Sequence, residues 1–580
     1  MYSKLLRLLF VGLSVQSSLG AVVGDAAAAP PATVIATQQP PVTRNPSYTV
    51  VAPSSTRPTT TSSTKPTSTS TTSTRPVQTP PTSSIKTSSS TRTTTQPTFT
   101  QSDPILDGPR ETNVLADIKG FYGLPGRDDV IRNATLNATD IQGDILVGMR
   151  KKLELFYFFH INEAQSFKKK LHVNVVPRIT STLDLLNVVT QPVVCLNIAF
   201  TYTGLKTLGF TSNLADNVWF KGQEADAWNL GDPSTTNWVP EFTGRKIDGV
   251  FLIASDTMTN VIAMKNWLET LFGTDITKIY ELQGNIRPPP FEGHEMFGYL
   301  DGVGQPAVAG FNVSPVPGQQ VINAGVILVG EPGDTLIGSR PSWAKDGSFL
   351  VFRQLKQLVP EFDKYCLDNA PPQSSWTLQQ RAELLGARII GRWKSGAPVD
   401  LSPTVDNPAL AADPNQNNNF DFSHTGFNIA TNQKHCPFAA HIRKSRPRAD
   451  LATPLNAIMR AGIPYGPEPS STEYARNTSS TDIKMERGLA FVSYQSRIDA
   501  GFKFIQEAWA NTVNFAPGKS PQPGFDLIFG QNHGGPRWMS GADINNPNAV
   551  LNMLTEFVIS RGGEYFFAPS ITAIRDVISV

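Results

Sequence analysis

The residues most able to do chemistry lie in CPFAAHIRKSRPR, residues 436–448, where His441 follows an apolar run and precedes Arg443, Lys444, Arg446 and Arg448. A histidine so placed can pack as a helical core residue, ligate a metal or haem iron, or join a patch that binds phosphate. Zinc is poorly served: His435, Cys436 and His441 are suitable ligand types, yet two are adjacent and no fourth ligand stands at a useful spacing. Haem makes fuller use of the segment, because it needs an axial base, apolar walls and cations near its propionates. A second signal is FEGHEMFGYLDGVGQP, residues 291–306. Asp301 there can cap a turn or act as a carboxylate. Gly302 and Gly304 lack the Cβ that would keep backbone away from a flat cofactor, and no phosphate-loop spacing is present. A peroxidase would further need groups facing the axial base that move a proton and stabilise developing charge. The residue types are present, and their spacing alone leaves all of these readings open.

Placing such groups requires a framework, and the chain carries one downstream of about residue 110. Strand-like runs occur at LELFYFFHI (153–161), CLNIAFTYT (195–203), VFLIASD (250–256), AGVILVG (324–330), SFLVFRQL (348–355), GLAFVSYQ (488–495) and GEYFFAP (563–569). Between them, residues 259–273 and 378–393 repeat apolar residues at three- and four-residue intervals, predicting helices. Helices interleaved with strands predict an α+β or α/β domain and argue against an all-β sandwich.

The rest of the chain bounds the setting. Its 580 residues carry a net charge of +2 and three cysteines, Cys195, Cys366 and Cys436, too few for a disulfide scaffold. Residues 1–25 place Lys4 and Arg7 before a short apolar run and small residues, the pattern of a secretory signal peptide, and no later segment reads as a membrane span. Residues 26–110 are rich in Ser, Thr and Pro, and predict a disordered stalk or pro-segment. Its Arg and Lys residues are scattered, which argues against nucleic-acid binding. Asn133, Asn137 and Asn477 head N-glycosylation sequons. The Asp128–Asp129 pair can serve either a surface manganese site or solubility.

Several motifs then occur in an order that is far more specific than composition. IQGDILVGM (141–149), FGYLDGVGQP (297–306), GRWKSGAPV (391–399), CPFAAHIRKSRPRADL (436–451), MRAGIPYGPE (459–468), RGLAFVSYQ (487–495) and GGEYFFAPS (562–570) together resemble the fungal dye-decolorizing peroxidases, with Asp301 in the family's GxxDG motif. The resemblance implies two ferredoxin-like halves with antiparallel sheets and peripheral helices, residues 111–310 and 311–580, with one haem b per chain in the second half. It implies His441 as axial ligand, Asp526 as partner of its other ring nitrogen, Asp301 and Arg460 as the acid–base and guanidinium groups across the haem, and Gly302 and Arg448 against the cofactor. It also implies hydrogen peroxide and bulky aromatic donors, including anthraquinone dyes, as reactants, with Tyr465 and Trp509 as surface electron-transfer residues. An exported monomer or dimer is expected. The competing readings are a haem carrier or chlorite-dismutase-like protein, which would bind haem and oxidise donors little, and a cell-surface binding protein without haem.

Overall fold

The computed structural model describes residues 123–186, 191–312 and 314–580. The expected signal peptide and the whole N-terminal Ser/Thr/Pro tract lie outside the described residues. Thirteen strands are present among the described residues: β1 (Leu153–Ile161), β2 (Val194–Phe200), β3 (Gly249–Ser255), β4 (Ile276–Asn285), β5 (Ala307–Val308), β6 (Val321–Ile322), β7 (Ser348–Gln357), β8 (Met459–Arg460), β9 (Ile463–Tyr465), β10 (Gly488–Gln495), β11 (Arg537–Ser540), β12 (Val550–Met553) and β13 (Val558–Ala568).

Strands β1–β4 form an antiparallel sheet in the order β2-β3-β1-β4, and β7–β10 with β13 repeat that topology with β7 and β10 at the centre. Each is the ferredoxin-like arrangement. The two sheets join through Phe200 with Phe567 on one side and Gly284 with Tyr465 on the other, and β10 pairs with β7, so the sheet closes into a barrel. Closure removes the open edges that two separate sheets would leave. It was not foreseen, because it rests on one residue pair at each seam.

The strands read as nearly continuous apolar runs because both of their faces are covered. Phe156 and Phe158 point into the barrel, while Leu155, Tyr157 and Phe159 point outward with Phe251 and Ile253. The outer layer is closed by the helix Met258–Phe272, which buries Met264, Trp267, Leu268 and Leu271 and is capped by the Thr257 side chain accepting from Asn260 N–H. Phe158 meets Phe352, Phe242, Phe566 and Tyr280 at ring-centroid distances of 4.9, 5.3, 6.0 and 6.0 Å.

One expected strand is absent. AGVILVG instead forms a short 3-10 turn, Ala324–Val326, and a buried loop. Gly330 has φ +77°, which turns the chain, and Val329 N–H bonds to Gly347 O at 2.8 Å. Apolarity there reflects burial, not pairing. Conversely, β4 was missed because ITKIYELQGN is only partly buried and carries Lys278 and Glu281. The three cysteines are buried and free, so no disulfide forms among the described residues.

Candidate active site

A cavity lies on the outer face of the second sheet, where Leu355 of β7 and Leu489 and Phe491 of β10 line it together with Ile390, Ile458 and Ile505. It contains about 1900 Å³ free of protein atoms, part of it open to solvent. His441 enters it from the short helix His441–Ser445. That helix sits against the C-terminus of the helix Leu378–Ile390, which ends at Gly391 with φ +95°. A side chain at Gly391 would collide with Ile442, so glycine is required both for the turn and for the approach.

His441 Nδ1 lies 2.9 Å from Asp526 Oδ2. Asp526 is fully buried, and its Oδ1 accepts the N–H groups of Ile528 and Phe529 at 2.8 and 3.3 Å. A carboxylate on Nδ1 holds the proton there and leaves Nε2 with a lone pair. Nε2 has no protein partner among the described residues. The Phe529 ring stands edge-on to the imidazole at 5.1 Å and restricts its rotation.

Asp301 and Arg460 line the same cavity. Asp301 Oδ1 accepts from Gly302 N–H at 2.6 Å and from Arg460 Nη1 at 2.6 Å, while Oδ2 has no protein partner among the described residues. Burial pushes this carboxyl up, but the Arg460 guanidinium and the Gly302 N–H outweigh it and hold Asp301 below its ordinary range. Gly302 has φ +82°, a conformation that delivers its N–H to Asp301 and that a side chain would strain. Arg460 is fixed in turn by Gln305, whose Oε1 accepts Arg460 N–H at 3.1 Å and whose amide donates to Arg460 O. Glu295 accepts Phe297 N–H and Tyr299 N–H at 2.9 Å each and Gln357 Nε2 at 2.6 Å, tying the Asp301 loop to β7.

Arg392, Arg446 and Arg448 also border the cavity. Burial pushes them down to about 9, 10 and 10 respectively, and for Arg392 and Arg448 neighbouring guanidinium groups add to it. Arg448 is largely committed to Asn418 and Phe420 carbonyls and to the Phe420 ring at 3.9 Å. The Arg446 guanidinium makes no hydrogen bond among the described residues and was not singled out for the cofactor from sequence. A free imidazole lone pair, a carboxylate and guanidinium, apolar walls and an unused guanidinium at the rim fit a flat dianionic macrocycle with an axial position.

Residues 140–288 match the DyP dimeric alpha+beta barrel domain and residues 330–515 the Dyp-type peroxidase C-terminal domain. The dye-decolorizing peroxidase AauDyP1 of Auricularia auricula-judae is 51% identical over 493 residues, 83% of this chain and 95% of that protein. Peroxidase 2 of Mycetinis scorodonius is 52% identical over 487 residues, 81% of this chain and 94% of that protein. The crystal structure of a decolorizing peroxidase from Auricularia auricula-judae superposes with a TM-score of 0.74 at 53% identity, covering 77% of this chain and all of that one. The chain belongs to the fungal dye-decolorizing peroxidases.

As a dye-decolorizing peroxidase it carries haem b and uses hydrogen peroxide to oxidise dyes and aromatic donors. Extracellular localisation is typical of these fungal peroxidases. Among the described residues no helix is long and apolar enough to cross a membrane, and no group of three or more His, Cys, Asp or Glu can hold a metal ion. The manganese reading of Asp128 and Asp129 gains nothing, since Asp129 pairs with Arg132 at 3.0 Å.

One expectation needs correction. Tyr465 and Trp509 are not surface residues: they are 3% and 2% exposed, because Tyr465 closes a barrel seam and Trp509 stacks on Phe515 at 4.9 Å. Arg443 and Lys444, in the histidine segment, are buried as well. Arg443 pairs with Asp450 at 2.5 Å, and Lys444 donates to the carbonyls of Trp509 and Thr512 at 3.2 and 2.7 Å. Asn133, Asn137 and Asn477 are all exposed.

Proposed function

We propose that His441 is the axial ligand, that Asp526 fixes its tautomer, and that Asp301 and Arg460 form the acid–base pair at which peroxide is cleaved. The observation that carries this reading is one cavity bordered both by the His441–Asp526 pair and by the Asp301–Arg460 pair. When bound, haem supplies the iron at which the peroxide O–O bond breaks and stores the two oxidising equivalents that donors consume. Asp526 accepts the Nδ1 proton, orients the ring and raises the basicity of Nε2. Asp301, held ionised, accepts a proton from one peroxide oxygen at Oδ2 and returns it to the other, which departs as water. Arg460 turns its guanidinium from Asp301 toward the charge that grows on the departing oxygen. Arg446, with Arg448 beside it, would hold the propionates, and the Gly302 turn would let backbone lie close to the ring.

Donors of anthraquinone size are oxidised outside the cavity. Tyr465 and Trp509 then serve as interior relays and not as docking points. Residues 1–25 direct export, and Asn133, Asn137 and Asn477 carry glycans on the exported chain. The residue assignment is tested by Asp301→Asn. The variant retains its Soret band, while its bimolecular rate with peroxide falls by about 10²- to 10⁴-fold; an unchanged peroxide rate removes Asp301 from the proposed role.

A further inference from the structure

A second cavity is bordered by Asp301, Gly302 and Arg460 and also by Glu154 of β1. Glu154 lies on the barrel-facing side of β1, two residues before Phe156. It is 4% exposed, and its Oε1 is buried with no hydrogen-bond partner among the described residues. Nearby, Asp144 accepts Tyr494 O–H at 2.6 Å and Met149 N–H at 3.0 Å. Of the cations bordering the same space, Lys151 pairs with Asp256 at 3.1 Å, Arg460 pairs with Asp301 at 2.6 Å, and Arg150, whose Nε donates to Val147 O at 2.7 Å, places its charge on Asp144. His294 and Glu295 complete the ionisable groups bordering the cavity.

We propose that Glu154 is a proton-relay residue, which carries solvent protons through this cavity to the Asp301 side of the peroxide site. The inference rests on the reading of Asp301 given above. Each turnover balances as one H₂O₂, two donor electrons and two protons giving two H₂O. The peroxide's own two protons leave with the first water, so the second oxygen needs two more after the donor electrons arrive. Asp301 is held ionised by Arg460, which suits it to accept the peroxide proton and unsuits it as a store. Glu154 has the opposite environment. Burial first, and then the neighbouring Asp144 charge, push it well above its ordinary range, and Asp144 itself is pushed up to about 6 by burial. The Glu154 O–H therefore donates through cavity water toward Asp301, and the carboxylate left behind is reprotonated from the rim. A purely structural role fits less well, because an unpartnered buried carboxyl oxygen carries a desolvation cost that an apolar residue would avoid.

The test uses the holoenzyme in two mixing steps, first with one equivalent of peroxide and then with hexacyanoferrate(II), a donor that yields electrons and no proton. In Glu154→Gln the donor-saturated reduction step slows by about a hundredfold, the lower end of what a positioned acid supplies, and its solvent deuterium isotope effect rises. The preceding peroxide step keeps its rate. In Glu154→Ala, formic acid added to the buffer restores the reduction step. A reduction step within about threefold of wild type in Glu154→Gln, with an unchanged isotope effect, overturns the proposal. So does an equal loss of both steps, which would make Glu154 a support for Asp301 geometry. Failure of the Asp301 reading shows separately, as an unchanged peroxide step in Asp301→Asn.

Discussion

Replacing Asp526 with Asn changes almost no volume, yet the local geometry makes it severe. The carboxylate uses both oxygens, Oδ2 for His441 Nδ1 and Oδ1 for the N–H groups of Ile528 and Phe529. An amide has one acceptor, so it can satisfy one side only. With its oxygen toward His441, the amide NH₂ confronts two N–H groups in a fully buried position. With the amide reversed, the NH₂ faces Nδ1, the imidazole must carry its proton on Nε2, and the lone pair is withdrawn from the cavity. Either arrangement forfeits a charge-assisted hydrogen bond of about 1.5–3 kcal/mol. At about 1.36 kcal/mol per decade this corresponds to roughly a 10- to 150-fold loss. Lys444, which burial pushes down to about 7 and the Asp526 charge supports, becomes still easier to deprotonate. The expected outcome is haem transfer to excess apomyoglobin, and a fall in the peroxide rate, both altered by about one to two orders of magnitude. Haem release and peroxide rate both within about twofold of wild type, with an unchanged visible spectrum, would refute the coupling of Asp526 to His441.

Arg460→Leu removes the main influence lowering Asp301, so the Asp301 carboxyl rises and the acid limb of the peroxide-rate profile moves to higher pH. The stability that this pair contributes is present above the unfolded carboxylate range and is lost as pH falls through the folded value; a pH profile with an unmoved acid limb counts against the pairing. Phe158→Ala empties the centre of the barrel and lowers unfolding free energy by about 3–5 kcal/mol, measured by urea titration. Trp509→Phe and Tyr465→Phe each lower anthraquinone turnover without changing the peroxide step, and a variant that keeps full dye turnover takes its residue off the route.

Strand existence was legible wherever apolar residues ran long enough to be covered on both faces, as in β1 and β10, whose limits coincide with the expected ones. AGVILVG failed because a buried loop and a buried strand share one composition, and its glycines were the signal for the former. Asp301 and His441 stood out in their motifs. Arg460 and Asp526 did not: they stand 159 and 85 residues from their partners, and only the ordered family motifs linked them. Arg446 was obscured by Arg448, since neighbouring cations in one segment differ only in what their guanidinium groups meet. Glu154 was hidden inside an apolar strand, where one acid reads as an interruption.

The two sheets share one topology but not one covering. Over the first, the helix Met258–Phe272 buries Met264, Trp267 and Leu268. Over the second, the corresponding outer face at Leu355, Leu489 and Phe491 borders the cavity that His441 enters. On the proposed assignment the cofactor occupies a place in the layer that a helix fills on the other side, and its binding free energy is also folding free energy. At a free haem concentration one hundred times Kd this linkage adds about 2.7 kcal/mol to the holo form, a share that the helix-covered half does not depend on.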